Sequence, residues 1–296
     1  MDGGEEMNFE IPREEYLFSG HTGCPGCGAV LAMRYTLKAL GRRTILTIPA
    51  CCWAVICGSF PYSTLGVPVL QCAFETAAVT AAGIKAGLEM KGDKETTVLA
   101  WAGDGGTFDI GIQSLSGAAE RNEDIIYICY DNEAYMNTGI QRSSATPQGT
   151  WTTTTPVDSP KNTPKKDLIG IMVAHRIPYA ATASIAYPDD LIRKVRKAKE
   201  IRGTKVIHII TPCPTGWRFP SELTIKLARL AVQSKVFPLY EVEEGKYSLT
   251  LKPDGVPVKD YLMLQGRFRH LREEDIEAIQ NNVDREWERL LQKVSS

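Results

Sequence analysis

The sequence predicts an α/β fold, a doubly wound and mostly parallel sheet. Short apolar runs rich in β-branched residues alternate along the chain with longer segments of helical periodicity, which is the pattern of strand–helix–strand crossovers. Polar or metal-binding residue types follow several of these runs, as Asp104, Asn132 and Cys213 do. In a parallel sheet such positions share one edge, and ligands bind beyond that edge.

The elements follow in order from the periodicity. Strands are predicted at 44–48, 96–102, 125–130, 179–184 and 205–210. Helices are predicted at 29–40, 74–90, 110–122, 167–175 and 188–201. A long polar region, residues 139–166, interrupts the alternation, and a loop of that length is typical of a functional or interface segment.

The C-terminal part of the chain has a different pattern. It predicts a helix over 221–234, a hairpin over 239–251 that turns at Glu244-Gly245, and a long amphipathic helix over 273–294. No chemistry-bearing motif occurs there. We therefore predict two parts: a domain that comprises residues 1–217, and a C-terminal arm, residues 218–296, that serves subunit packing.

Composition limits the classes of function. The chain has 296 residues, 43% of them hydrophobic, and a formal net charge of -1. This charge balance gives no electrostatic reason to expect nucleic acid or an anionic membrane as a partner. No run reaches the roughly 18 apolar residues that a transmembrane helix needs, and the acidic start is unlike a signal peptide. We expect a cytoplasmic protein.

The eight cysteines are unevenly distributed. Six of them fall within the first quarter of the chain, whereas Cys129 and Cys213 stand apart. Without a secretion signal, a disulfide framework is not expected. The Cys24-x-x-Cys27 pair fits zinc, an iron–sulfur cluster or redox chemistry. Three other cysteines, Cys57, Cys72 and Cys129, are interpreted as small buried hydrophobic residues.

Two predicted strand ends indicate a site for a metal ion and a diphosphate. The run 96–102 ends in Gly103-Asp104-Gly105, where glycines allow a close approach of the backbone to a ligand. Asn132 follows the next strand, twenty-eight residues after Asp104. Magnesium prefers oxygen ligands, and Asp104, the Asn132 side chain and a backbone carbonyl such as that of Ala134 could provide three. The alternative is a pair of ordinary turns.

Four segments together resemble the β subunit of the 2-oxoacid:ferredoxin oxidoreductases, most closely the pyruvate branch. They are Gly20-His21-Thr22-Gly23-Cys24-Pro25-Gly26-Cys27-Gly28, Gly103-Asp104-Gly105, Asp131-Asn132-Glu133-Ala134-Tyr135-Met136-Asn137-Thr138-Gly139-Ile140-Gln141 and Thr211-Pro212-Cys213-Pro214-Thr215-Gly216-Trp217. They occur in the order of the family. The resemblance implies a sheet of the thiamin-diphosphate-binding type, with Mg²⁺ and thiamin diphosphate bound at Gly103, Asp104, Gly105 and Asn132.

The resemblance also implies a [4Fe-4S] cluster on Cys24, Cys27, Cys52 and Cys213. Cys52 matches the family's third ligand because it stands twenty-five residues after Cys27, although the neighbouring Cys51 leaves that choice open.

The resemblance and the local sequence suggest roles for four more residues. The resemblance implies that Asn137 hydrogen-bonds the substrate or the intermediate and that Thr138 contacts the cofactor. The alternative for Asn137 is that its side chain caps the local turn. Glu75 either contacts the cofactor or cluster or only complements a helix dipole. His21 is expected to order the cysteine loop or to touch the diphosphate. His208, within an apolar strand, is interpreted as a core histidine.

The implied activity is the reversible, coenzyme A-dependent oxidative decarboxylation of a 2-oxo acid to acyl-CoA and CO₂. Electrons would pass from a thiamin-diphosphate intermediate through the cluster to ferredoxin. Pyruvate is the predicted substrate, and branched-chain, aryl or other 2-oxo acids are alternatives. The implied partners are an α subunit that completes the thiamin site, a γ subunit and a ferredoxin-like δ subunit.

Two other classes of protein stay open from the sequence. One is a non-redox thiamin enzyme, such as a decarboxylase, in which the cysteines are structural. The other is a scaffold subunit stabilised by zinc, with a degenerate cofactor site.

Overall fold

An eight-stranded sheet forms the centre of the protein, which is described here by a computed structural model that covers residues 11–59 and 61–295. The strands are β1 (Thr44–Pro49), β2 (Val69–Cys72), β3 (Thr97–Gly103), β4 (Ile126–Asp131), β5 (Tyr179–Ser184), β6 (Lys205–Ile210), β7 (Tyr240–Glu243) and β8 (Lys246–Leu249). Their spatial order is β2-β1-β3-β4-β6-β5-β7-β8. Strands β1 to β6 pair in parallel, while β7 and β8 are added antiparallel. The predicted mostly parallel α/β sheet is confirmed.

Helices cover both faces of this sheet. They are α1 (Gly28–Leu40), α2 (Cys52–Ile56), α3 (Ala77–Met90), α4 (Ile112–Glu120), α5 (Leu168–Ala174), α6 (Pro188–Glu200), α7 (Pro214–Trp217), α8 (Thr224–Gln233), α9 (Val258–Leu262) and α10 (Glu273–Ser295). Apolar residues of α1 and α6 pack on one face of the sheet, and those of α3, α4 and α5 pack on the other. The sheet is therefore doubly wound, and burial on both faces explains why its central strands are continuous apolar runs.

The structure corrects several predicted elements. The helix predicted at 110–122 is α4, preceded by a separate π-helical turn at Gly105–Asp109. The helix predicted from Phe74 begins only at Ala77. Strand β2 and the short helices α2 and α9 were not predicted, because four or five residues are too few to show a period.

The C-terminal segment is joined to the sheet. Its hairpin, β7 and β8, extends the sheet through antiparallel pairing of β7 with β5. A separate apolar core lies between this segment and the end of β6, with Trp217, Phe237 and Phe268 among its members. The division at residue 217 stays a prediction, and the two parts share one sheet.

Within the described part of the chain, no helix is both long and apolar enough to cross a membrane.

Candidate functional site

The ends of three neighbouring strands meet at one edge of the sheet. Strand β3 ends beside β4 with Gly103 paired to Tyr130, and β4 ends beside β6 with Asp131 paired to Ile210. The residues that follow these ends are therefore neighbours. Parallel pairing alone thus brings Asp104, Asn132 and the segment of Cys213 to one place, as the sequence predicts.

Three oxygen-bearing groups converge at this edge. One atom of the Asn132 amide lies 2.9 Å from the carbonyl oxygen of Ala134 and 3.0 Å from Oδ1 of Asp104. If that atom is nitrogen, it donates a hydrogen bond to each oxygen; if it is oxygen, three oxygens face one another with no proton between them. Adjacent ligands of an octahedral Mg²⁺, each at about 2.0–2.1 Å, are about 2.9 Å apart. The arrangement therefore fits a magnesium ion.

The electrostatics of Asp104 favour a cation. Its carboxyl group is buried, and Oδ2 accepts a hydrogen bond from Ser143 Oγ at 2.5 Å. Burial, and secondarily the nearby charge of Asp131, raise the pKa of Asp104 well above its ordinary value, while the Ser143 hydroxyl acts in the opposite direction. A divalent cation at the three oxygens would offset this cost and keep the carboxylate ionised.

A cavity of about 280 Å³ adjoins the three oxygens. Its walls include Gly103, Asp104, Gly105, Asn132 and Thr138. The glycines serve packing as well as access to a ligand: a Cβ on Gly105 would lie 2.4 Å from Cε1 of Tyr135. The Tyr135 hydroxyl in turn donates to Asp109 Oδ2 at 2.6 Å, which ties the loop after β4 to the π-helical turn.

The four predicted cluster ligands line a second cavity. Cys24, Cys27, Cys52 and Cys213 all face a space of about 210 Å³. This space shares five wall residues with the first cavity, and these are Cys52, Val55, Asn132, Met136 and Asn137. The two predicted cofactor sites are thus immediate neighbours.

The distribution of the four thiols fits a multinuclear cluster. Among residues 11–59 and 61–295, no three His, Cys, Asp or Glu side chains are grouped so that one metal ion could bind them all. The cysteines instead surround a cavity. A [4Fe-4S] cluster is held by four cysteine thiolates, one at each of its irons, and four cysteines on the walls of one cavity match that number of ligands.

The thiols raise one another's cost of ionisation. Burial raises the pKa of Cys213 to about 11, and the charges of Cys27 and Cys24 add to this effect. Burial likewise raises the pKa of Cys52, with further contributions from Cys51, Cys213 and Cys27. Four thiolates in this space would need a cationic iron core to compensate their charge.

Cys51 and Cys52 differ in environment. Cys52 lines both cavities, whereas Cys51 lines only the first. Burial raises the pKa of Cys51, and a hydrogen bond with the Tyr130 side chain lowers it. This placement supports Cys52 as the ligand of the pair.

The other predicted site residues are placed as follows. Asn137 is exposed at the common wall of both cavities, and Thr138 donates from Oγ1 to Gln141 Oε1 at 2.6 Å. His21 accepts a hydrogen bond on Nδ1 from the Gly23 backbone at 3.3 Å, so it orders the cysteine loop, and it lies outside both cavities. Glu75 is also outside both, next to Phe74, which does line the first cavity.

Sequence reasoning missed a buried ionic network behind the metal site. Lys165 contacts the carboxylates of Asp131 and Glu133, and Arg267 Nη2 lies 2.6 Å from Glu133 Oε2. His208 Nε2 lies 2.7 Å from Asp131 Oδ2, so His208 is a core histidine with a partner, as predicted.

Charges within the network determine its protonation. Burial alone would raise the pKa of Asp131, but Lys165 and His208 lower it to about 2. Burial lowers the pKa of His208, although Asp131 acts against that shift. The network therefore places an ionised Asp131 beside a neutral histidine at neutral pH. No motif marks Lys165 or Arg267, since a lone cation in a polar segment is most often a surface residue.

Comparison with known proteins defines the class first. A family model described as the C-terminal TPP-binding domain of thiamine pyrophosphate enzymes matches residues 61–209. The matched range contains β3, β4 and the three-oxygen site, while the four cysteines of the second cavity lie outside it. The fold and this site together define a protein of the thiamine pyrophosphate enzyme class.

Two curated relatives and one solved structure narrow the class to a family. The chain is 54% identical over 291 residues to ketoisovalerate oxidoreductase subunit VorB of Pyrococcus horikoshii, which covers 95% of this chain and 94% of the relative. It is 51% identical over 286 residues to pyruvate synthase subunit PorB of Methanocaldococcus jannaschii, with 93% and 96% covered.

The solved structure is a 2-oxoglutarate:ferredoxin oxidoreductase from Magnetococcus marinus. It matches with a TM-score of 0.59 at 21% identity, over 76% of this chain and 82% of that chain, which shows a common fold. On the strength of its curated relatives, the chain belongs to the β subunits of the 2-oxoacid:ferredoxin oxidoreductases. The predicted family and enzyme class are confirmed, and the chain is one subunit of an oxidoreductase.

Proposed function

We propose that this subunit binds thiamin diphosphate with Mg²⁺ in the first cavity and a [4Fe-4S] cluster in the second. With its partner subunits it would oxidise a 2-oxo acid, with coenzyme A, to acyl-CoA and CO₂, reversibly, and pass the electrons to ferredoxin. The observation that carries this proposal is the common wall of the two cavities. When bound, thiamin diphosphate supplies a carbon nucleophile and an electron sink, and the cluster accepts single electrons.

The residues that line the two cavities have distinct proposed roles. Asp104, the Asn132 side chain and the Ala134 carbonyl hold the magnesium ion that carries the diphosphate, while Gly103, Gly105 and Thr138 bound the same cavity. Asn137 faces both cavities and is exposed, so its amide is available to hydrogen-bond the substrate. Cys52 lies between the two sites, which makes the path from cofactor to cluster short.

The placement of His21 and Glu75 gives them smaller proposed roles. His21 positions the Cys24–Cys27 loop through the Gly23 backbone. Glu75 precedes α3 and lies outside both cavities, which favours the role of a charge near the N-terminus of that helix over contact with the cofactor or cluster.

Pyruvate is the proposed substrate. A branched-chain 2-oxo acid is the second candidate, because relatives of 53–54% identity are named ketoisovalerate oxidoreductase subunits. The proposed partners are an α subunit that completes the thiamin site, a γ subunit and a ferredoxin-like δ subunit. The cytoplasm, where thiols stay reduced, suits a chain with eight free cysteines.

The test is anaerobic purification of the assembled complex followed by metal, cofactor and activity measurements. We expect about four irons and four sulfides per β chain from its own cluster, in addition to those of the ferredoxin-like δ subunit, one thiamin diphosphate, and ferredoxin reduction that requires both coenzyme A and a 2-oxo acid. A panel of pyruvate, 3-methyl-2-oxobutanoate, 2-oxoglutarate and an aryl 2-oxo acid, compared by kcat/KM, identifies the substrate. Zinc in place of iron, or decarboxylation without ferredoxin reduction, would overturn the proposal.

A further inference from the structure

The loop that provides two of the proposed magnesium ligands is supported by a distant part of the chain. We call residues 131–134 the metal loop. Arg267, in the short 3₁₀ turn between α9 and α10, is 1% exposed and contacts this loop through the carboxylate of Glu133. This residue belongs to the segment 218–296, to which the sequence assigns packing alone. The inference that follows rests on the proposed function.

Glu133 has an unusual backbone conformation. Its φ angle is 65°, in the left-handed region that disfavours residues with a side chain, and it stands between the two ligand residues Asn132 and Ala134. This residue therefore sets the direction in which the Ala134 carbonyl points relative to the Asn132 amide. A strained conformation of this kind persists only where the surrounding contacts determine it.

Those contacts account for the polar atoms of Glu133 one by one. Its N–H donates to Asp131 Oδ1 at 2.9 Å, and its carbonyl accepts from Thr146 Oγ1 at 2.7 Å. Its two carboxylate oxygens contact Lys165 at 2.9 Å and Arg267 at 2.6 Å. Every polar atom of Glu133 thus has a partner behind the loop, which leaves the Asn132 amide and the Ala134 carbonyl to face Asp104.

Arg267 also supports Asn132, the residue before Glu133, through the side chain of Trp217. Its guanidinium lies 3.9 Å from the centre of the Trp217 ring, and the Trp217 indole N–H donates to the Asn132 carbonyl at 2.8 Å. Trp217 ends the short helix that begins directly after Cys213, the fourth proposed cluster ligand. Arg267 therefore contacts the metal loop directly and also packs on Trp217 of α7, the short helix that follows Cys213.

Arg267 itself is held rigidly. Its Nε donates to Gln265 Oε1 at 2.9 Å, and its backbone carbonyl accepts from Trp151 N at 3.0 Å. We infer that Arg267 is a positioning residue for the metal site: it holds the metal loop, through Glu133 and Trp217, in the conformation that directs the Asn132 and Ala134 oxygens at the cation. Arg267 touches neither the cation nor the substrate.

The test measures binding of the divalent cation in the assembled complex. Metal-depleted complex is titrated with Mn²⁺ in the presence of thiamin diphosphate, and free Mn²⁺ is followed by electron paramagnetic resonance. For Arg267→Met we expect Mn²⁺ affinity to fall roughly 10- to 100-fold, the range typical of lost outer-shell partners. Activity should return at saturating Mg²⁺ and thiamin diphosphate, so the change lies in the half-saturating concentration of Mg²⁺ rather than in kcat.

The matched control is Lys194→Met. Lys194 is a cation with a fully buried side chain, ion-paired to Asp190 at 2.6 Å in α6, and has no contact with the metal loop. Both variants delete a buried, paired charge, and only Arg267→Met should change Mn²⁺ affinity. Trp217→Phe, which keeps a ring and deletes the N–H to Asn132, should weaken Mn²⁺ binding without any change of charge.

The outcomes separate this inference from the proposed function. If Arg267→Met binds Mn²⁺ as tightly as the unaltered complex, Arg267 is not a positioning residue. An equal loss in Lys194→Met would also overturn the inference, since it would show a general effect of instability. If Arg267→Met does not assemble, Trp217→Phe alone decides. Failure of the unaltered complex to bind Mn²⁺ with thiamin diphosphate would instead contradict the proposed function.

Discussion

Cys51 and Cys52 are adjacent in sequence but have different surroundings. Cys52 lies on the wall that both cavities share, while the Cys51 thiol is hydrogen-bonded with Tyr130 and lines only the cofactor cavity. Cys52 is the first residue of α2, whereas Cys51 precedes the helix in an extended conformation, so the two side chains point in different directions. The surroundings of the two thiols therefore provide a criterion for choosing the third cluster ligand, which their spacing along the sequence does not.

This difference predicts opposite results for two nearly identical variants. Cys52→Ala should lose most of the cluster iron, because the cluster then lacks one of its four thiolates. Cys51→Ala should keep the iron content of the unaltered complex, about four irons more than Cys52→Ala. Iron and sulfide analysis of the anaerobically purified complex measures both. The reverse result would assign the third ligand to Cys51.

Residues that only assist the ligands were beyond sequence reasoning. Asp104 and Asn132 could be predicted because each directly follows an apolar strand, and strand ends of a parallel sheet meet. Ser143 bonds Asp104 from a loop 39 positions away, and Arg267 reaches Glu133 across 134 positions. Neither contact has a local pattern, since both depend on how the polar segments fold back over the sheet.

At the scale of elements, the turn after β3 depends on close packing. Gly105 begins a π-helical turn, and the Tyr135 ring occupies the space where a side chain would be. Position 105 therefore requires glycine because of this contact with the Tyr135 ring, and not because of a positive φ angle. The ring and its bond to Asp109 hold the loops after β3 and β4 together at the cofactor cavity.

This packing predicts a non-additive pair of substitutions. Gly105→Ala should destabilise the protein by about 1–3 kcal/mol, as over-packing of a core typically does, because its Cβ would lie 2.4 Å from Tyr135 Cε1. In a Tyr135→Ala background the same substitution should cost much less, since the ring is absent. Unfolding in denaturant, followed by tryptophan fluorescence, gives the four free energies.

Gly83→Ala is the control for that cycle. Gly83 lies within α3, and a Cβ there would meet no atom within 4 Å. Alanine in a helix interior should stabilise the protein by about 0.5–1 kcal/mol. Equal costs of Gly105→Ala in both backgrounds would show that Tyr135 is not what excludes the side chain.

Elements with a clear sequence pattern were predicted and those without one were not. The runs of β3, β4 and β6 are mostly apolar because both faces of the sheet are buried, so they stand out. Strand β2 has four residues, two of them exposed, and α2 spans only Cys52–Ile56. In such short elements tertiary contacts decide the structure, and these are not visible in the local sequence.

At the scale of the whole molecule, buried cations join the two predicted parts of the chain. Arg267 connects the C-terminal segment to the metal loop, and Lys194 connects it to the sheet. The Lys194 ammonium group donates to the Thr182 carbonyl of β5 at 2.7 Å, to Asp190 of α6 at 2.6 Å, and to Thr250 Oγ1, just after β8, at 2.8 Å. Lys194, which belongs to residues 1–217, thus forms a hydrogen bond with Thr250 of the C-terminal segment in the protein interior.

The burial of Lys194 predicts how stability depends on pH. Burial lowers its pKa to about 8 from an ordinary 10.5, although Asp190 opposes the shift; Arg193 and Glu241 also act on it. Between these two values the unfolded chain holds a proton that the folded chain has lost, so this residue makes stability rise with pH. The slope is at most about 1.4 kcal/mol per pH unit for one proton.

Lys194→Met should remove that contribution. The free energy of unfolding of the unaltered chain, minus that of Lys194→Met, should be constant below about pH 7 and should increase from pH 8 to pH 10, because every other titrating group is common to both proteins. Denaturant unfolding at half-unit steps of pH measures the difference. A difference that stays flat over this range would mean that Lys194 keeps its proton in the folded protein, and that its three hydrogen bonds outweigh the cost of burial.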